Sequence, residues 1–265
     1  MRELRIKKGR GRHRVVVVPS RDERSALRVL VPRLAAAAMA LDRHGVQHGF
    51  TPGRSPVTCA RAHVGYRWTL SCDLVDCFDR IAEAQVRALV PDVDSRCFVG
   101  GVARQGLPTS PAICNIALSG LDAEIVSALA GRGVYTRYAD DLVVSTNDIA
   151  VIHEMRDVIE RAARGHGHEV HERKTTIQDG RRGRRIVVGI AVGDDAIYPT
   201  REARRALRAA EHAAQTRGSD RARDRARGMR AWASLRGPDI LAAATRAAET
   251  GEHVLAHMIV TREVT

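Results

Sequence analysis

An α+β fold is the expectation for this chain, and three stretches carry it. Val134 to Arg137 and Leu142 to Thr146 are short β-rich runs joined through Tyr138-Ala139-Asp140-Asp141, which reads as strand, turn, strand. Tyr66 to Asp73 is a second strand-like run, rich in aromatic and β-favouring residues, and gives way to helical spacing. After Pro199 the composition changes to Arg- and Ala-rich sequence with a helical period. Strands and helices therefore alternate in the middle of the chain and separate at its end.

In chain order, residues 1–14 form a basic, glycine-containing arm, expected to be mobile. Leu27, Leu30, Val31, Leu34, Ala38 and Leu41 place a helix over Arg24 to Leu41, which Pro32 is positioned to kink or restart. Beyond the strand ending at Asp73, a helix is expected from near Asp79, with Ile81, Ala84, Val86 and Leu89 on its apolar side. Ser110-Pro111 suits a helix start, and Ile113, Ile116, Ala117, Leu121 and Ile125 continue it. Thr176 to Gln178 is expected to pair with Arg185 to Val192 as a hairpin. Thr200 caps a helix through Ala203, Leu207, Ala210 and Ala214, and Arg221 to Leu235 forms another that contains Trp232. There are no internal repeats.

The net charge of +12 and pI near 10.4 favour a polyanionic partner, because phosphate contacts release counterions without reading sequence. Basic composition alone fits other classes too, and the Ala and Arg richness is also what a biased genomic base composition would give. Five cysteines, an odd number with no Cys-x-x-Cys pair, argue against zinc and against a disulfide framework; they are expected to be reduced and buried. No apolar stretch approaches a membrane span and the first residues lack the apolar core of a signal peptide, so a cytoplasmic protein without a membrane partner is expected.

Asp140-Asp141 is the pair that points to chemistry. A hairpin tip of two aspartates, with no Gly or Asn to relax it, has given up the usual turn residues. Asp73, at the end of a buried strand, faces a sheet edge that metal and substrate can reach. If that strand lies beside the hairpin, Asp73, Asp140 and Asp141 converge. Three carboxylates at one point repel strongly unless cations neutralise them, and Mg²⁺ prefers oxygen ligands. Two such ions about 3.5–4 Å apart would clamp the attacking and leaving oxygens of a phosphoryl transfer. The competing reading makes Asp73, Asp76 and Asp79 helix caps, which suits Asp79 better than Asp73.

The order of motifs then becomes specific. Asp73-Leu-Val-Asp-Cys-Phe78, Gln105-Gly-Leu-Pro-Thr-Ser-Pro111 with Asn115, and Tyr138-Ala-Asp-Asp141 resemble the palm motifs of reverse transcriptases. His48-Gly-Phe-Thr-Pro-Gly-Arg-Ser55 resembles the second motif of the bacterial branch shared by retrons and group II introns. The resemblance implies a right-hand polymerase fold of fingers, palm with an antiparallel sheet, and helical thumb. It divides the chain into an N-terminal arm and fingers over 1–65, a palm over 66–199 with a fingers segment inserted at about 85–105, and a thumb over 200–265.

Carried over by position, the resemblance makes Asp73, Asp140 and Asp141 catalytic and the ligands of two Mg²⁺ ions, with Mn²⁺ able to substitute. Phe78 falls at the steric-gate position, where an aromatic ring beneath the sugar excludes a 2′-hydroxyl. Gln105 contacts the incoming nucleotide, and Gly106 lets backbone approach it. Arg14-Val-Val-Val-Val-Pro19 with Arg24 matches the fingers motif that grips the triphosphate, ahead of the neighbouring Arg21; guanidinium groups suit phosphate oxygens. Lys174 matches a lysine placed near the departing pyrophosphate. Arg54, His63, Arg221, Arg225 and Trp232 are the candidate nucleic-acid contacts.

Two local features lean towards retrons. Cys59-Ala-Arg-Ala-His63 resembles the retron Asn-Ala-x-x-His element, and Val187-Val-Gly189 its Val-Thr-Gly element, with Cys59 and Val188 each replacing a hydrogen-bonding side chain. About 65 residues follow Pro199, enough for a thumb and too few for maturase and endonuclease domains. The function implied is an RNA-directed DNA polymerase that copies its own noncoding RNA from dNTPs in phage defence, with an effector protein as a further partner. The alternatives are a standalone defence or CRISPR-associated reverse transcriptase, a template-independent or protein-primed polymerase, and a noncatalytic RNA-binding scaffold, against which last the three intact aspartates argue.

Overall fold

The computed structural model describes residues 1–8 and 12–233. At its centre is a four-stranded antiparallel sheet in the order β4-β5-β3-β6, formed by β3 (Trp68–Asp73), β4 (Val134–Tyr138), β5 (Asp141–Thr146) and β6 (Thr176–Asp179). Strand pleating sends alternate side chains to opposite faces. Leu142 and Val144 of β5 and Leu70 and Cys72 of β3 therefore meet the main core, while Val143 faces a second, smaller one.

Helices cover the main-core face. They are α1 (Arg21–Leu41), α3 (Glu83–Leu89), α4 (Ser110–Ala117), α5 (Ser119–Leu129) and α6 (Ile149–Gly165). Leu27, Leu34 and Ala38 of α1, Ile113 and Ile116 of α4, Leu121 and Ile125 of α5, and Ile152, Met155 and Ile159 of α6 are all buried there. The opposite face carries α2 (Pro56–Arg61) and a small sheet of β7 (Arg185–Val187), β8 (Ile190–Val192) and β9 (Ile197–Tyr198). Val57, Cys59, Ala60, Val187, Ile190, Val192 and Ile197 close over Val143. An N-terminal hairpin of β1 (Arg2–Lys8) and β2 (Arg12–Val18) sends Val17 into the main core, and a helix pair of α7 (Arg201–Arg217) and α8 (Asp220–Ala233) buries Ala210, Ala226 and Met229 in a small cluster of its own.

The structure differs from the sequence expectations in five places. The arm is half of the β1–β2 hairpin, because Leu4 and Val16, and Arg5 and Val15, stand in register. Helix α1 starts at Arg21, fixed by a capping box in which Ser20 and Glu23 satisfy each other's backbone N–H groups, and it passes Pro32 unbroken. A 3₁₀ turn at Cys77–Arg80 stands where a helix was expected near Asp79, and α3 begins only at Glu83. The helix expected through Ile125 is two, α4 and α5, bent by 41° at Leu118. Finally, β6 pairs with β3 and not with β7. The Gln178 side chain alone meets β7, donating to the Ile186 carbonyl (2.9 Å) and accepting from its N–H (2.7 Å).

Thr200 caps α7 as expected, its side chain accepting from the Ala203 N–H at 3.1 Å. The five cysteines are free and buried. Among the described residues no single helix is long and apolar enough to cross a membrane.

Candidate active site

The register of the central sheet sets the site. Asp73, last residue of β3, stands opposite Asp141, first residue of β5, and Tyr138 stands opposite Asp141 from β4. The three aspartates therefore share one end of the sheet. The turn between β4 and β5 is Ala139-Asp140, not Asp140-Asp141, and its positive φ of 55° falls on Ala139. An alanine in the left-handed region is disfavoured and persists where its surroundings hold it.

Those surroundings are visible. The segment Val46 to Gly49 runs beside β4: Arg137 N–H donates to the Val46 carbonyl (2.8 Å) and His48 N–H to that of Arg137 (2.8 Å). A β-carbon on Gly49 would lie 2.3 Å from the Ala139 nitrogen, so only glycine lets this segment support the turn from beneath. On the other side Leu74 N–H donates to the Asp140 carbonyl at 3.1 Å, tying the turn to the end of β3.

Beneath the turn lies a buried polar network that sequence reasoning missed. The Arg137 side chain, fully buried, donates through Nε and Nη2 to the Asp122 carboxylate (both 2.8 Å) and through Nη1 to Asn115 Oδ1 and the Ala139 carbonyl (both 3.0 Å). Tyr135 Oη donates to Asp122 at 2.8 Å, Gln47 Nε2 reaches Asp122 and the Asn115 carbonyl, and Asn115 Nδ2 donates to the Gly49 carbonyl at 2.9 Å. Burial alone would lower the Arg137 pKa; the Asp122 carboxylate outweighs it and the net shift is upward. The available signal was a charge inside a β-rich run, Arg137, and another, Asp122, between Leu121 and Ala123.

Lys174 stands at Asp73. Its Nζ donates to both carboxylate oxygens, at 3.0 and 3.1 Å, and half of the lysine side chain is exposed. It arrives there because His171 N–H donates to the Asp73 carbonyl at 2.7 Å, and a 3₁₀ turn over Glu172–Lys174 follows. Asp140 has its pKa raised, first by burial and then by the charge of Asp73, against the opposing pull of its own backbone N–H, Lys174 and Arg14. Arg14, on β2, is thus close enough to act on the site. Sequence reasoning placed the triphosphate grip on Arg24, which is exposed on the first turns of α1.

Three clustered carboxylates, one desolvated and repelled by another, form a hard-oxygen donor set that fits Mg²⁺ in chemistry. Yet among the described residues no three side chains close on a single ion position, and the Lys174 ammonium holds Asp73. The convergence expected from the sequence is therefore one of sheet end rather than of a finished three-ligand cluster.

Phe78 lies in the 3₁₀ turn after β3, partly buried against the main core, and follows Asp76 with its φ of 44°. Gln105 accepts from Val17 N–H of β2 through its carbonyl at 2.8 Å. Gly106, with φ of 102°, would set a β-carbon 2.2 Å from the Val17 carbonyl, so its glycine requirement comes from the β2 strand.

Two of the expected nucleic-acid contacts have partners within the protein. His63 is wholly buried, its Nδ1 2.8 Å from Ser145 Oγ and its Nε2 2.7 Å from Thr136 Oγ1, and burial pushes its pKa down to about 3; it braces β4 and β5. Arg54 Nη1 donates to Asp42 (3.1 Å) and to the Gly45 (2.6 Å) and Gln47 (2.9 Å) carbonyls, so it closes the loop that carries Gly49. Arg221 and Arg225 are exposed on α8. Trp232 belongs to the same helix, but its side chain, like residues 234–265, lies outside the described residues.

The model of the family described as reverse transcriptase (RNA-dependent DNA polymerase) matches residues 6–185. The retron Mx65 reverse transcriptase of Myxococcus xanthus is 34% identical over 219 residues, covering 72% of this chain and 49% of that protein. The retron Ec86 reverse transcriptase of Escherichia coli is 28% identical over 216 residues, covering 76% of this chain and 65% of that one. The chain thus spans between half and two thirds of the length of these relatives. Among solved structures, telomerase from Candida albicans in complex with a fragment of telomeric RNA superposes with a TM-score of 0.56 at 13% identity, over 75% of this chain and 46% of that one. That likeness shows the right-hand polymerase fold. With two thirds of its length matched by the family model and retron enzymes as its curated relatives, the chain belongs to the reverse transcriptase (RNA-dependent DNA polymerase) family, of the retron type.

Proposed function

We propose that this chain is an RNA-directed DNA polymerase of the retron type, copying a cognate noncoding RNA from dNTPs. The observation that carries the reading is the placement of Asp73, Asp140 and Asp141 at one sheet end, on a turn held by Gly49 and Arg137. Asp73, Asp140 and Asp141 would hold Mg²⁺, or Mn²⁺ in its place; two bound ions would activate the primer hydroxyl and stabilise charge on the leaving pyrophosphate. The chain's own groups do the rest. Lys174 Nζ, 3.0 Å from Asp73 Oδ1, would neutralise charge on the departing pyrophosphate or donate a proton to it. Arg14 and Arg24 supply guanidinium groups to the triphosphate, Phe78 lies beneath the sugar, and the Gln105 side chain contacts the nucleotide.

In this reading residues 1–65 are arm and fingers, 66–199 palm with a fingers insertion near 85–105, and 200–265 thumb, where Arg221, Arg225 and Trp232 hold the template–primer duplex. Retron relatives and the RNA-bound telomerase support an RNA template, and an effector protein in phage defence and a cytoplasmic location complete the proposal. A standalone defence reverse transcriptase would share every one of these residues and differ in its RNA.

The test is Mg²⁺-dependent incorporation of dTTP on poly(rA)/oligo(dT), comparing wild type with Asp140→Asn/Asp141→Asn. Incorporation by wild type and none by the variant, with RNA binding equal in both, is the expected result. Equal incorporation by the two would sink the assignment of the site.

A further inference from the structure

Phe78 and Gln105 come from separate segments, and the structure shows how these are joined. The chain after the Phe78 turn and the chain before Gln105 pair as a short ladder. Glu83 N–H donates to the Gly101 carbonyl (2.9 Å), Ala82 and Val102 form an antiparallel bridge, and Ala103 N–H donates to the Ile81 carbonyl (2.9 Å). The next rung is made by side chains. Arg104 Nη1 donates to Asp79 Oδ1 at 2.7 Å. Asp79 directly follows Phe78, and Arg104 directly precedes Gln105.

The rung is anchored at both ends. Ser110 Oγ donates to the Arg104 carbonyl at 2.5 Å, which fixes the loop against the start of α4. Asp79 N–H donates to the Asp76 carbonyl at 3.0 Å, which closes the 3₁₀ turn carrying Phe78. Beyond the rung, Gln105 is held to β2 by Val17. The Arg104 Nε is buried and has no hydrogen-bond partner, so the guanidinium is oriented by its single contact with Asp79.

We propose that Asp79 and Arg104 are positioning residues that set the Phe78 ring against the nucleotide loop and so determine selection between deoxyribose and ribose. The inference rests on Phe78 being the sugar gate. A gate excludes a 2′-hydroxyl by contact, and contact selectivity is sensitive to displacements well below an ångström, because packed surfaces lose or gain their van der Waals wells over that range. Neither residue touches substrate in this role. An ion pair whose partners are 29% and 45% exposed adds little to stability, so a loss of sugar selection with little loss of stability is the signature that separates positioning from mere support.

The test uses the full chain with Arg104→Gln, Asp79→Asn, the charge-exchanged pair Asp79→Arg/Arg104→Asp, and Phe78→Val as a control. The ratio of kcat/KM for dTTP to that for UTP is measured on poly(rA)/oligo(dT). In parallel, equilibrium binding of each nucleotide to the enzyme–template–primer complex in Ca²⁺ gives a ratio that needs no turnover. Each single variant should lower the ratio about tenfold, mainly through a lower KM for UTP, while kcat for dTTP stays within about twofold. The exchanged pair should restore much of it. If Phe78→Val abolishes selection while the singles leave it unchanged, the clamp is refuted and the gate stands. If Phe78→Val also leaves selection unchanged, the gate itself fails and the clamp falls with it.

Discussion

Replacing Arg137 by Gln puts the buried network beneath the Ala139-Asp140 turn to the test. The substitution leaves the Asp122 carboxylate nearly solvent-free with only Tyr135 and Gln47 as donors, and removes the donor from the Ala139 carbonyl. Breaking a buried pair from one side costs about 3–5 kcal/mol, because the abandoned charge stays desolvated. For a domain of this size that corresponds to a fall of order 10 °C in Tm. Urea denaturation followed by circular dichroism gives the free energy, and dTTP incorporation well below the new midpoint gives the activity of molecules that remain folded.

A second variant separates stability from positioning. Arg137→Met/Asp122→Leu removes both charges and fills the space with apolar atoms, a replacement that is often close to neutral in stability. If the network only stabilises the fold, this double variant recovers activity with stability. If Arg137 holds the turn through the Ala139 carbonyl and Asn115, the double variant regains stability but stays at least about tenfold slower. A cost below about 1 kcal/mol for Arg137→Gln would refute the reasoning, since it would mean that the Asp122 charge is not in fact isolated from water.

Three further outcomes follow from the same geometry. Gly49→Ala should abolish incorporation while leaving the fold cooperative by circular dichroism, because its β-carbon meets backbone 2.3 Å away at Ala139 and the turn must move; unchanged activity would show that the turn tolerates displacement. Gly106→Ala, whose β-carbon meets the Val17 carbonyl at 2.2 Å and whose φ is 102°, should raise the KM for dTTP by detaching β2 from the nucleotide loop. Acid should destabilise the protein through His63. Its folded pKa of about 3 lies below the ordinary 6.5, so the unfolded chain binds the extra proton; the stability is complete above pH 6.5 and is lost as pH falls towards 3, at about 1.4 kcal/mol per pH unit. A His63→Leu variant should show a shallower dependence of its urea midpoint between pH 7 and pH 5, and an equal slope would remove His63 as the cause.

The strands on either side of Asp140 were legible because their period of two and their β-branched residues are local properties, and Asp73 because a strand that ends in an acid is a local pattern. Pairing is not local. Nothing near Thr176 says that β6 will choose Trp68 to Ser71 over the nearer Arg185 to Val187, a choice made by the place of β3 in the sheet and by Gln178 imitating a strand edge towards Ile186. The protein partners of His63 and Arg54 were out of reach of the sequence for a related reason. A polar residue inside a motif can serve the ligand or the scaffold, and only the partners reveal which: Thr136 and Ser145 in one case, the 42–47 loop in the other. Gly106 illustrates the same ambiguity, since the missing β-carbon makes room for a neighbouring strand.

The electrostatics of the site explain why the buried charges stand where they do. Asp140 lies partly out of water and close to Asp73, an arrangement that raises its pKa. Lys174 and Arg14 oppose that shift, and both belong to segments outside the β4–β5 hairpin. Arg137 could have opposed it from beneath, but its charge is met by Asp122, so what it gives the turn is direction through the Ala139 carbonyl and not a positive potential. The turn is thereby rigid underneath and electrically unfinished above. A turn built this way owes its shape to protein contacts, the kind of preorganisation that phosphoryl transfer rewards.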